Sequence, residues 1–377
     1  MNDKTPFGCL VLLIAALTLS GRTAIADPLP PIAQKAIPVI ASADVANGLD
    51  SLWRPSPADV DDGFAIGMTH HDPGYDLKGV VVIFGNSKVV EETAVAKNIM
   101  GPLLKTTVPV FQGAEGLLGD VDKGENQFGP RYPYNDPKCI NAGVTFMAET
   151  LATTPGTLIL ATGPLTDVAC LAYHFPATHA AIKEVAVIMG RAQNENFELN
   201  GATGLTDFNY ARDPASVKYL LADTHIPMAF MAFSLTSSSF LPKLRIDALK
   251  PNPSSAAQFF YRSSQVWIEY WDSLFGQTGF HPWDQNAVFY ALNPAAFTCD
   301  AHAHFNIIPC DGEPNHNAPN NACAGHGPTQ KASLNAETSQ LQFDSSFQSR
   351  AVTYCSAYAS AASKQAFLDA LLLFITE

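Results

Sequence analysis

Basic residues are scarce in this chain. Its 377 residues set 22 Lys and Arg against 35 Asp and Glu, a net charge of −13 at neutral pH. A surface so acidic repels phosphate backbones, which excludes a nucleic-acid polymer as partner. Charge of either sign is thin, 15% of residues against 47% hydrophobic. That balance buries a core and excludes an extended disordered chain. The apolar run Cys9 to Leu19 is too short to span a bilayer. No internal duplication is visible, which sets aside a two-lobed solute-binding protein.

What is there begins with an export signal. Lys4, the apolar run and the small-residue site Ala24-Ile25-Ala26 before Asp27 read as a signal peptide over 1–26. A Pro-rich leader over 27–38 follows. Cys9 stands at the front of the run, where lipid attachment fits poorly. The mature chain is expected to be soluble, periplasmic or secreted, with no membrane contact. It keeps Cys139, Cys170, Cys299, Cys310, Cys323 and Cys355, an even number where disulfides persist. Their pairing stays open.

Val39 to Ala43 is an apolar run ending at Asp44 and reads as a buried strand. Leu77 to Phe84 reads as a second strand, closing on Gly85-Asn86, with a helix from Lys88 to Met100. The alternation continues through strand Val108 to Phe111, helix Ile140 to Ala152, strand Thr157 to Ala161, helix Leu165 to Tyr173 and strand Glu184 to Met189. Apolar strands alternating with helices predict an α/β fold, a mainly parallel central sheet with helices on both faces. A single domain over 39–377 is expected. Ligands in such folds lie beyond the carboxyl ends of the strands, so the chemistry belongs just after each apolar run.

Ser254 to Phe275 reads as a long helix whose Phe260, Trp267, Trp271 and Leu274 pack a core more readily than they line a nucleobase wall. The segment 299–330 holds His302, His304, His316 and His326 among three cysteines and reads as an insertion. Its spacings match no zinc finger or ribbon, so disulfides are the better expectation. Ser363 to Ile375 reads as a packed terminal helix rather than a membrane anchor.

Asp61-Asp62 precedes Phe64-Ala65-Ile66, and alone it would be an ordinary acidic helix start. The wider order carries more. Asp44 follows the first strand; then come Asp59-Val60-Asp61-Asp62-Gly63, Phe84-Gly85-Asn86, Thr162-Gly163-Pro164-Leu165-Thr166-Asp167, Asp207-Phe208-Asn209, and Trp283-Asp284 before Ala287-Val288. From Val39 to Pro294 this order resembles the nucleoside hydrolase family, with its paired aspartates, Gly-Asn strand end, central loop, Glu-Phe-Asn motif and late metal-binding segment.

The resemblance implies a single Ca²⁺ held by Asp44, Asp62, the Thr162 backbone carbonyl and Asp284, oxygen donors that suit a hard cation. It implies that Asp61, Asn86, Asn200, Asp207 and Asn209 grip a ribose. Departure of the base leaves oxocarbenium-like positive charge on the sugar, which nearby carboxylates stabilise. Asp44 is the implied general base for the attacking water. Trp283 stands where purine-preferring relatives also carry Trp. It either stacks on a departing purine or simply packs, and His281 is the alternative acid. The expected activity is calcium-dependent hydrolysis of ribonucleosides to ribose and free base, purines preferred. The partner is then a small nucleoside, and a homo-oligomer is a further expectation by analogy. The competing expectation is a non-catalytic, calcium-dependent nucleoside or pentose binder of the same fold.

The chain departs from the family pattern in three places. Residues 47–58 intervene between Asp44 and the aspartate pair, and should they displace Asp44, Asp50 or Asp59 takes its role. Ser42 stands where the family has an earlier Asp, and Asp207 is shorter than the family's Glu.

Overall fold

The computed structural model describes residues 36–51, 56–116, 137–195, 197–203, 205–309 and 339–376. The signal, most of the leader, Trp53, Arg54, Cys310, Cys323, His316 and His326 lie outside the described residues.

The chain opens with β1 (Ile37–Ala43), α1 (Asp61–His71), β2 (Tyr75–Val82), α2 (Val89–Asn98), β3 (Val110–Gln112), α3 (Ala142–Thr153), β4 (Thr157–Ala161), α4 (Thr166–His174) and β5 (Ile182–Ile188). Short pieces follow: β6 (Arg191–Ala192), β7 (Glu198–Leu199), β8 (Ala202–Thr203), α5 (Phe208–Arg212), α6 (Pro214–Asp223), β9 (Met228–Met231), α7 (Phe233–Ser237), β10 (Leu241–Pro242) and α8 (Lys243–Asp247). The last part holds α9 (Ser255–Phe275), β11 (Gly279–Phe280), α10 (Gln285–Leu292), β12 (Phe297–Pro309), β13 (Ser339–Asp344), β14 (Val352–Tyr358), α11 (Ala361–Ala370) and α12 (Leu373–Thr376).

Among the described residues ten strands form the main sheet in the order β3-β2-β1-β4-β5-β9-β14-β12-β13-β6. From β3 to β14 every pairing is parallel. β12 then runs antiparallel to both neighbours, and β6 lies parallel to β13. The parallel strands are apolar because both faces are covered. Val80 and Val82 enter one core and Val81 the other, as a period of two requires. The long helix forms as expected: Ser254 caps it through the Ala257 N–H, Gly276 ends it at φ 61°, and Phe260, Trp267 and Trp271 are buried. Among the described residues no helix is long and apolar enough to cross a membrane.

Three boundaries differ from expectation. Residues 299–309, read as the start of an insertion, are strand: β12 is held between two partners and tied by the Cys299–Cys355 disulfide to β14. Polar and His-rich composition hid it, because most of its side chains stay partly or wholly exposed. The helix beginning near Lys88 runs on into a π turn over Ile99–Leu103 that contains Pro102. The terminal helix is two pieces, α11 and α12, with Leu371 and Leu372 buried at the break. A second disulfide joins Cys139 to Cys170 on α4.

Candidate functional site

Four strands of the parallel sheet end at one place. Asp44 follows β1, Gly85-Asn86 follow β2, Thr162-Gly163 follow β4 and Gly190 follows β5, while Asp61 and Asp62 open α1. Residues 49–51 and 56–58 lie side by side, with Ser51 N donating to Ser56 O at 2.8 Å and Ala58 N to Leu49 O at 2.9 Å. The excursion therefore returns the chain to the point it left. Asn47 donates to the Val60 carbonyl at 2.7 Å, and Gly63 leaves it room, since a Cβ there would lie 2.0 Å from Asn47 Oδ1. Asp44 keeps its buried place, whereas Asp50 is exposed and Asp59 accepts from its neighbour's Val60 N–H.

The Asp44 N–H donates to Asp62 Oδ1 at 3.2 Å, and the Thr162 hydroxyl donates to the same oxygen at 2.8 Å. Asn86 Nδ2 bridges the Asp44 carbonyl at 3.2 Å and Asp62 Oδ2 at 3.3 Å. Across the cluster the Asp284 N–H donates to Asp61 Oδ2 at 3.1 Å, and Gln285 Nε2 to the Asp61 carbonyl at 2.8 Å. Asn209 Nδ2 donates to the Thr162 carbonyl, the oxygen expected to face the metal, and to Ile188 O at 3.2 Å. Carboxylate oxygens of Asp61, Asp62 and Asp284 all lie within 4.8 Å of one another.

All four aspartates are buried. Burial first, then mutual repulsion among the carboxylates, holds Asp44, Asp61 and Asp284 well above the ordinary carboxylate range. Burial also pushes Asp62 up to about 7 against the opposing bond from Thr162. Such a cluster calls for a cation, and the local structure is shaped for one. Among the described residues Asp44 Oδ2 has no hydrogen-bond partner. A Cβ at Gly85 would lie 2.0 Å from it, and one at Gly163 would lie 2.8 Å from Oδ1. The carboxylate thus sits in a cradle that side chains would fill. The donors are hard oxygens, so the buried triad with Asp44 beside it can hold a hard divalent ion. Sequence reading placed Asp61 on the sugar; geometry also puts it among the metal-capable oxygens.

The remaining expected site residues are more dispersed. Asp207 caps α5 through the Tyr210 N–H and accepts from Gly190 N at 2.6 Å beside the Arg191 guanidinium. Asn200, expected on the ribose, lies in the turn between β7 and β8. It is exposed in a left-handed turn at φ 47°, and its amide donates to the Phe275 carbonyl at the end of α9. His281 is buried with Nδ1 against Ser239 O at 2.6 Å, and burial lowers it to about 4. Trp283 is half-buried and stacks on Phe233.

Sequence reading missed Glu92. It is wholly buried in the first turns of α2, with one oxygen accepting from Ser87 N at 2.5 Å, the other without a hydrogen-bond partner among the described residues, and Asp44 and Asp62 in its field. Its only signal, an acidic first turn, is that of any helix start.

Fold and cluster together define a nucleoside-hydrolase architecture. A purine-preferring ribonucleoside hydrolase from Gardnerella vaginalis has a similar fold (TM-score 0.64, 16% identity, covering 89% of this chain and 98% of that one). So has an inosine-uridine preferring nucleoside hydrolase from Bacillus anthracis (TM-score 0.57, 13% identity, 90% and 100%). In sequence the chain is 26% identical over 250 residues to the pyrimidine-specific ribonucleoside hydrolase RihA of Salmonella arizonae, covering 63% of this chain and 78% of that protein. The sequence profile of the inosine-uridine preferring nucleoside hydrolases matches residues 57–340, and the chain belongs to that family. It is an N-glycosidase by class.

Proposed function

We propose that the protein hydrolyses the N-glycosidic bond of ribonucleosides in a calcium-dependent reaction and prefers purine nucleosides. The observation that carries the reading is the buried carboxylate cluster at the sheet's carboxyl edge, with Asp44 Oδ2 unpartnered in its cradle. Asp44, Asp62, Asp284 and the Thr162 carbonyl would hold Ca²⁺, with Asp61 at the boundary between ion and sugar. When bound, the ion supplies Lewis acidity toward a water and orients ribose hydroxyls.

The residues of the chain do the rest. Asp44 takes a proton from the attacking water as its oxygen bonds the anomeric carbon. The C–N bond breaks toward the base, which leaves with the electron pair and takes a proton from solvent, to which Asp44 returns the proton it accepted from the water. Asp61 faces the positive charge that develops on the sugar, and Asn86 and Asn209 hold the ribose side of the site. Asp207, shorter than glutamate and engaged with Gly190, supports the loop behind them. The half-buried indole of Trp283 offers a flat apolar surface to the base. Export to the periplasm or medium belongs to the same reading, as scavenging of nucleosides outside the cell.

The test is release of reducing sugar from inosine, guanosine, adenosine, uridine and cytidine, with calcium and after chelation. Calcium-dependent release, fastest from the purine nucleosides, is expected. Release from uridine alone would end the purine claim, and nucleoside binding without release would make the protein a binder.

A further inference from the structure

Behind Trp283 runs a row of rings that the reaction does not use. Phe197 stacks on Phe233 with centroids 3.8 Å apart and planes 9° apart. Phe233 stacks on Trp283 at 5.5 Å and 21°, and Trp283 meets His281 at 4.8 Å and 34°. At the far end Arg191 places Cζ 3.9 Å over the Phe197 ring. The members come from four separate segments: β6, the loop before β7, the start of α7 and the loop before α10. Both ends of the row are buried, Arg191 and Phe197 at one and His281 at the other, and Phe233 and Trp283 between them are half-buried.

Phe233 is fixed at its backbone as well as its ring. Its N–H donates to the Gly190 carbonyl at 3.3 Å, tying α7 to the strand end that carries Arg191. Phenylalanine has no acid, base or donor to offer a reaction. What a ring stacked on an indole can do is hold the indole's plane. That plane matters for selection, because a two-ring base gains more overlap than a one-ring base only against a surface that does not tilt.

We propose that Phe233 is a positioning residue: by stacking on Trp283 it fixes the indole plane against which the base lies, and so sets the preference for two-ring over one-ring bases. This rests on the reading of Trp283 as the base-facing surface. A ring that merely filled the core would, when removed, lower turnover of all nucleosides alike.

The experiment compares kcat/KM for inosine and uridine in wild type, Phe233→Leu, Phe233→Tyr and Trp283→Leu at saturating calcium. The ratio between two substrates on one preparation cancels any loss of folded protein. Phe233→Leu is expected to lower the inosine-to-uridine ratio roughly three- to tenfold, chiefly through KM for inosine, with Phe233→Tyr restoring it to within about twofold. Trp283→Leu should lower the ratio at least as far. An unchanged ratio in Phe233→Leu beside a lowered one in Trp283→Leu overturns this inference alone. An unchanged ratio in Trp283→Leu overturns the base surface and this inference with it. Should wild type turn over neither nucleoside, calorimetric Kd values for the two take the place of kcat/KM in the same comparison.

Discussion

At Gly85 an added methyl group has nowhere to go, because its position falls on Asp44 Oδ2, while Gly163 closes in on the other oxygen, Oδ1. Gly85→Ala is therefore expected to displace the Asp44 carboxylate, costing about 1–3 kcal/mol in overpacking. Calcium affinity measured by calorimetry should fall at least about tenfold, the equivalent of roughly 1.4 kcal/mol. Unaltered affinity would mean that Asp44 lies outside the ion's reach. Asp167 supplies a test in pH. It accepts from Ala114 N at 3.0 Å and Asn141 Nδ2 at 2.7 Å, yet burial pushes it from 3.8 up to about 6. A raised carboxyl favours the folded state when protonated, so its contribution is complete below about 4 and is lost as pH rises through about 6. Asp167→Asn should flatten stability across that window in urea titrations, and parallel curves for the two proteins would exclude the effect. The aspartates around the site were legible because each follows an apolar strand or opens a helix. Glu92, Phe233 and Arg191 were not, since their roles depend on partners distant in sequence.

Elements that alternate regularly were equally legible. β1, β2, β4, β5 and α9 fall close to their expected places because parallel strands buried on both faces leave continuous apolar runs. β12 escaped notice: its neighbours cover its edges rather than its faces, and hydrogen bonding along edges leaves no hydropathy signature. Disulfide pairing escaped for a related reason, being a property of the folded path. The Cys139–Cys170 bond closes a separation of 31 residues and holds the segment before α3 to α4. Cys139→Ser with Cys170→Ser should cost about 3–4 kcal/mol, read as a lowered urea midpoint with little change in slope. A midpoint within error of wild type would mean that the surrounding bonds to Asp167 suffice to hold that segment.

For the molecule as a whole, the carboxylate cluster sets ion binding against stability. An ion that binds only the folded chain adds about 2.7 kcal/mol at a concentration one hundred times its Kd. Thermal unfolding should therefore shift upward with calcium in a concentration-dependent way and fall back on chelation. A Tm indifferent to every divalent cation would leave the buried aspartates without their proposed partner.

The place of β14 in the sheet carries a consequence for how the enzyme comes into being. It lies between β9 and β12 although it spans residues 352–358. Until a ribosome has delivered it, β9 presents an open edge, the template on which chains pair wrongly with one another. Every aspartate of the buried cluster is synthesised well before that strand arrives. A stop codon between Asp284 and Val352 would yield a chain with its carboxylate cluster present and its sheet unclosed, so the closing strand acts as proof that translation has reached the end of the sheet.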